Sequence, residues 1–333
     1  MEVWTVRIPE TRTAAAQAQR AEAEGWDGIA FTDSQNLIGD PYVAVAVAAQ
    51  SVERLRFATG VTNAYTRHPA ALATVAATVQ EESGGRFVLG IGRGDTALFH
   101  LGLQPQKVDD FAARLRDLQT YLSGGTVGPS PIKWLARATQ PKVPLDVAVS
   151  GPRMISLAAE VAERVTFALG ADPDRLAWGV SVARAAAEAA GRDPDSIDFG
   201  AYLNVACHPD VSVGRTLIAG SVAAFAHFSS MPGSTGAGLA EGDKAIVAEV
   251  GKRYDSNFHL VNSADHTAPL EPDFVDRFAV VGPPDACIAR LLALRDLGID
   301  RVIITGASFG ADPDAARTAH HLTVSELLPA LQS

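Results

Sequence analysis

Short β-branched segments alternate with helical segments eight times along this chain, and that alternation limits the fold more than any other feature of the sequence. Strands are expected at 3–8, 28–32, 55–61, 86–91, 145–149, 165–169, 197–206 and 301–305. Helices are expected at 11–24, 41–50, 69–82, 107–122, 153–163, 173–190, 213–228, 284–297 and 314–331, with Pro41 and Pro69 in first turns, where a missing N–H costs nothing. Eight strand–helix units make a closed α/β (β/α)8 TIM barrel, and 333 residues suit one such barrel as a single domain. A doubly wound open sheet is the alternative. That fold more often carries a glycine-rich dinucleotide turn after its first strand, and here the turn reads Ile8-Pro9-Glu10-Thr11-Arg12-Thr13, without glycine. The rhythm breaks near 93–143 and 230–276, two irregular insertions rich in glycine and proline, the second with a short helix expected at 243–254.

Composition narrows the class. The chain is 47% hydrophobic and 20% charged, ordinary for a globular protein, and its net charge of -10 disfavours nucleic acid and anionic membrane surfaces as partners. Cys207 and Cys287 lie far apart in sequence and form no CxxC, so neither a disulfide framework nor a zinc cluster is expected. The N-terminus reads as a strand rather than a targeting segment, and the longest apolar run, 42–49, is far short of the ~20 residues a membrane span needs. A cytoplasmic protein acting on a small molecule is expected.

Barrel active sites lie where strands run into the following loops, which restricts attention to a few segments. The fourth strand ends in Gly90-Ile91-Gly92-Arg93-Gly94-Asp95, where glycines would let a planar ligand approach the backbone. Asp95 there is a candidate acid/base, or the cap of a short turn. The third strand runs into Gly60-Val61-Thr62-Asn63-Ala64-Tyr65-Thr66-Arg67-His68-Pro69, a dense set of hydrogen-bonding groups at one strand mouth. Ser150-Gly151-Pro152-Arg153 opens a helix whose backbone N–H groups would suit a phosphate, with an ordinary Ser cap as the other reading. Asp33, Ser34 and His208 also follow strands, whereas His227, His259 and His266 fall in or near the second insertion and are expected at the surface. The sequence has no HExxH, no GxSxG and no Walker A motif, and no metal site is expected.

Gly60-Val61-Thr62-Asn63, Tyr65-Thr66-Arg67-His68-Pro69, Ser83-Gly84-Gly85-Arg86 and Leu89-Gly90-Ile91-Gly92 together resemble the methylenetetrahydromethanopterin reductases of the luciferase-like superfamily. Gly25-Trp26-Asp27, Thr32-Asp33 and Ser150-Gly151-Pro152 are similar as well. The resemblance implies a barrel with insertions, usually dimeric, that binds coenzyme F420 or reduced FMN. It implies a non-prolyl cis peptide in a bulge ending the third strand, by position Gly60–Val61, on which the ring rests. Related deazaflavin-dependent dehydrogenases carry an Asp-His pair after the second strand and a Glu after the fourth. Here those positions read Asp33-Ser34 and Asp95, which removes the histidine.

The combined expectation is F420-dependent hydride transfer to or from a small organic substrate. Asp33, Gly60, Val61, Thr62, Asn63, Gly92, Arg93 and Gly94 would hold the ring, and Ser150, Gly151, Pro152 and Arg153 the phosphate. Asp95 and Ser34 would stand at the chemistry, and Arg67, His68 and His208 at the substrate. The rival is a two-component FMN-dependent monooxygenase fed by a separate reductase, and a non-catalytic flavin-binding protein is a third reading.

Overall fold

A computed structural model describes residues 1–234 and 236–333, so Thr235 of the second insertion lies outside the described residues. The barrel strands are β1 (Glu2–Arg7), β2 (Gly28–Phe31), β3 (Arg56–Thr59), β4 (Phe87–Gly92), β5 (Leu145–Val149), β6 (Arg164–Phe167), β7 (Asp198–Cys207) and β8 (Arg301–Thr305). They hydrogen-bond in the order β8-β1-β2-β3-β4-β5-β6-β7, and β8 pairs in turn with β7, so the sheet closes. The (β/α)8 barrel expected from the alternation is the observed fold. Two short strands escaped the sequence reading. Thr62–Asn63 pairs with β4, and Val280–Gly282 pairs with the end of β7. Runs of two and three residues are too short to show alternation.

By internal contacts the chain forms two compact units, each described separately below. The first comprises Trp4–Ala148 and Leu157–Val165. Phe31, Phe57 and Phe87, on consecutive strands, are wholly or almost wholly buried there. Two of its helices, Pro41–Ala49 and Pro69–Glu82, start on side-chain caps. The Asp40 carboxylate accepts from the backbone N–H groups of Tyr42 and Val43 to open Pro41–Ala49, and His68 Nδ1 accepts from Ala70 N–H to open Pro69–Glu82. The first insertion contains the short helix Thr96–Phe99, the helix Val108–Leu122 and a 3₁₀ turn, Lys133–Arg137.

The second unit comprises Met1–Val3, Val149–Ser156 and Thr166–Ser333. Its helix Val211–Ser230 is long and apolar enough to cross a membrane, but most of its residues, including Leu217, Ile218, Val222 and Phe225, are buried, as in a core helix. Arg175 is fully buried and ties three segments together by donating to Leu169 O, Ser229 Oγ and Ala237 O. Burial lowers its pKa to about 10.

One sequence expectation fails in this unit. The insertion histidines are not at the surface. His227 and His266 stack on Tyr254, with ring centroids 3.9 and 4.6 Å away, and His266 is 1% exposed. The helix Glu241–Arg253 delivers Tyr254 to the end of Val211–Ser230, a tertiary contact that local polarity does not encode. Cys207 and Cys287, far apart in sequence, come together in this unit. Gly282 is the register partner of Cys207, and its carbonyl lies 3.3 Å from Cys287 Sγ; both thiols are free and buried.

Candidate functional site

The mouth of β3 organises the first unit. Ala58 pairs with Val88 and Thr62 with Ile91, so four steps along one strand face three along its neighbour. The extra residue makes a β-bulge, and the expected cis peptide Gly60–Val61 lies inside it. The β4 glycines serve this bulge rather than leaving their faces open for a ligand. A Cβ on Gly90 would fall 2.0 Å from Thr59 O, and one on Gly92 3.2 Å from a Val61 methyl. At Gly90 only glycine lets the bulged strand settle onto β4, while at Gly92 a Cβ would press on the Val61 side chain.

Beside the bulge lies a buried polar network. Asp33 Oδ2 accepts from Thr62 Oγ1 at 2.6 Å and from Arg67 Nη1 at 3.3 Å, while Asp33 Oδ1 accepts from Gln35 Nε2 at 2.8 Å. The other arm of Arg67 pairs with Asp40, and its guanidinium lies 4.8 Å above the Tyr42 ring. Arg67 therefore bridges Asp33 and Asp40. Burial raises the Asp33 pKa, with Thr62 and Arg67 offsetting part of the effect, and burial likewise raises that of Tyr42.

A carboxyl whose pKa rises on folding favours the folded state while protonated and loses that contribution as pH climbs through its folded value. We expect Asp33→Asn to melt at the same temperature as the parent near pH 4 and progressively above it towards pH 8, in calorimetric scans across about that range. Parallel melting curves at every pH would contradict this.

Asn63 is 1% exposed. Its Oδ1 accepts from Tyr65 and Thr66 N–H groups, shaping the turn, while Nδ2 is buried without a partner. Gly94, in left-handed conformation at φ 81°, leads into Asp95, whose carbonyl accepts from Phe99 N–H but whose carboxylate does not cap the short helix. Ser34 offers its carbonyl to Leu37 and Ile38 N–H groups, and Arg93 its carbonyl to Gln106 N–H. Next to this mouth runs a groove of about 630 Å³, lined by Tyr65, His68, Leu103, Gln106, Lys107 and Arg114. His68 thus belongs both to a helix cap and to a groove wall.

In the second unit, Ser150 Oγ donates to Phe228 O at 3.1 Å and meets Ser234 Oγ at 3.1 Å. A Cβ on Gly151 would lie 2.7 Å from Gly233 O, so the second insertion packs on this turn. The Ser150 hydroxyl is therefore already engaged by protein, Gly151 is covered, and Arg153 is exposed at the start of helix Pro152–Val161. His208 Nδ1 accepts from Asp210 N–H, a turn-forming contact. Among the described residues no group of three or more metal-binding side chains comes together.

Sequence reasoning listed Gln35 among the strand-end residues but gave no site role to Asp40 or Tyr42. Asp before Pro at a helix start reads as an ordinary cap, and nothing local marks Asp40 as a second carboxylate for Arg67.

The profile of the luciferase-like monooxygenase family matches residues 3–301. A 5,10-methylenetetrahydromethanopterin reductase from Methanolobus tindarius is 30% identical, over 91% of this chain and 92% of its own length. Among solved structures, the coenzyme F420-dependent tetrahydromethanopterin reductase from Methanopyrus kandleri superposes with a TM-score of 0.76 at 23% identity, covering 99% of both chains. The oxygenating constituent of 3,6-diketocamphane monooxygenase from Pseudomonas putida, in complex with FMN, gives 0.65 at 18% identity, covering 99% of this chain and 98% of its own.

Proposed function

Because the chain belongs to the luciferase-like monooxygenase family, we propose that it is an F420-dependent oxidoreductase moving a hydride between the deazaflavin and a small organic substrate. The observation that carries this reading is the buried Asp33–Thr62–Arg67 network beside the β-bulge at the β3 mouth. The residues fit a ring ligand: the bulge exposes peptide edges at a strand mouth, and Asn63 holds a buried amide donor without a protein partner.

Asp33, Thr62 and Asn63 would bond the ring's polar edge, while Gly60, Val61, Gly92, Arg93 and Gly94 shape its seat. Arg67 orients Asp33 and offsets part of the cost of burying its charge. The turn Ser150–Arg153 would meet a phosphate through backbone N–H groups, and Arg153 would add charge. The cofactor supplies hydride chemistry when bound, and the chain supplies orientation and a proton route. Asp95 is the proton donor or acceptor, with Ser34 near the same mouth. The groove beside His68 would receive the substrate. A methylene-pterin is the substrate class favoured by the reductase relative.

We also read the chain as one barrel domain in the cytoplasm, working as a homodimer. Val43 and Val47 are 51% and 39% exposed on a helix that is apolar all round, which suits a self-complementary contact.

Fluorescence titration with F420 and with reduced FMN tests the reading. We expect tight F420 binding, weak FMN binding, and F420-coupled turnover of methylenetetrahydromethanopterin. Tight FMN binding without F420 binding would replace it with the monooxygenase reading, which the fold likeness to an FMN-bound monooxygenase favours. Binding without any turnover would leave the non-catalytic flavin-binding protein.

A further inference from the structure

The groove beside the β3 mouth lies wholly within the first unit, and one face of helix Val108–Leu122 forms a side of it. Lys107, Asp110, Arg114 and Asp117 follow one another along that face at three- and four-residue spacing. Opposite charges at this spacing close into ion pairs elsewhere on the molecule, as in Arg20–Glu24, Lys244–Glu241 and Arg253–Glu249. Along the groove they stay open: among the described residues these four side chains form no ion pair. Arg114 turns instead to the opposite wall, donating to Ala64 O at 3.3 Å and lying 5.8 Å from the centre of the Tyr65 ring, which is 45% exposed.

Gln106, just ahead of this helix, is 5% exposed and forms part of the groove wall. Its backbone N–H donates to Arg93 O, but its side-chain Oε1 is buried without a partner. Leu or Met there would avoid that desolvation cost, so the amide marks a place for a donor brought from outside. The charges narrow what brings it. The two carboxylates repel an anionic ligand and the two basic groups a cationic one, and the two signs are equal in number along this face. A hydrocarbon would strand the Gln106 acceptor and strip water from all four charges. A hydroxyl both donates and accepts, so a run of hydroxyls satisfies Gln106 Oε1, the carboxylates and the ammonium together. The negative face of the Tyr65 ring suits the C–H side of such a chain.

We infer that the groove reads a neutral, hydroxyl-rich chain of alditol or sugar type, with Gln106 Oε1 accepting from one hydroxyl and Lys107, Asp110 and Asp117 bonding its neighbours. The volume, about 630 Å³, lies within the range of small-molecule sites. The inference rests on the functional reading above, in which the groove receives the substrate, and it names the chemistry of the part of the substrate that does not react.

Four probes stand for the four chemistries: ribitol, glutarate, a straight-chain diamine and hexanol. Each is titrated into the full-length protein by ligand-observed NMR, beside Gln106→Leu and Lys107→Ala, with melting followed for every variant. Lys107 is exposed, so its variant keeps the test open if Gln106→Leu does not fold. Ribitol should bind the parent in preference to the other three, about tenfold or more weakly in Gln106→Leu, and measurably more weakly in Lys107→Ala. Preference for glutarate, the diamine or hexanol overturns the inference, as does binding of none of the four. Ribitol binding that is unchanged in the folded variants overturns it too, since the groove is then not where the chain lies. The F420 titration is read separately. Ribitol binding through Gln106 without F420 binding keeps this inference and removes the functional reading, and F420 binding without ribitol binding removes this inference alone.

Discussion

Asp95→Asn is expected to lower kcat about 10²–10⁴-fold while leaving the F420 dissociation constant within about a factor of two. The substitution keeps the shape of the side chain. The Asp95 carbonyl, which accepts from Phe99 N–H at 2.8 Å, is untouched, and the carboxylate makes no cap bond to the short helix that asparagine would disturb. The change removes a proton-carrying group while keeping the side-chain shape and the backbone turn into Thr96–Phe99. Steady-state rates across a pH series, beside a binding titration, make the measurement. A kcat within about fivefold of the parent would take Asp95 out of the proton route and shift attention to Ser34 or to bound water.

Gly90→Ala should produce the largest structural effect. Its Cβ would sit 2.0 Å from Thr59 O, a backbone atom, and Thr59 Oγ1 donates to Gly90 O at 2.6 Å across the same contact. Neither strand can yield without moving the bulge. Overpacking of this kind costs about 1–3 kcal/mol, which corresponds to a drop of several degrees in melting temperature. F420 affinity should fall with it, because the seat at Gly60–Val61 shifts. Gly242→Ala is the control, since a Cβ there meets nothing within 4 Å and alanine favours its helix. If Gly90→Ala and Gly242→Ala behave alike in calorimetry and in titration, the bulge is not what holds the ring.

The barrel was legible because alternation repeats eight times and each repeat reports on the same architecture. β8 was placed to the residue, since Arg301–Thr305 is an uninterrupted run of strand-forming side chains after a helix-ending glycine. The bulge was legible only through resemblance, because a register shift of one residue depends on what the neighbouring strand does. The network around Asp33 was half legible. Thr62 and Arg67 stand in a conspicuous polar run, whereas Asp40 and Tyr42 stand at the start of the preceding helix, some 25 residues earlier, and meet Arg67 only in the folded chain. Gln106 carried no signal at all: a single amide just ahead of Val108–Leu122 looks like any loop residue until its partners are counted. The insertion histidines misled for the same reason, because polarity along the chain says nothing about the Tyr254 ring they stack against.

One guanidinium serves two carboxylates and a phenol ring at the β3 mouth, and that sharing shapes how the site can change over time. Replacing Asp33 frees Arg67 to lean on Asp40, and replacing Asp40 tightens its hold on Asp33. The fitness effect of either change therefore depends on the state of the other, so that these positions form an epistatic set rather than a row of separate dials. A lineage, or a laboratory, seeking a new ligand preference here would have to move through paired substitutions, and the order in which they are made would decide which intermediates remain functional.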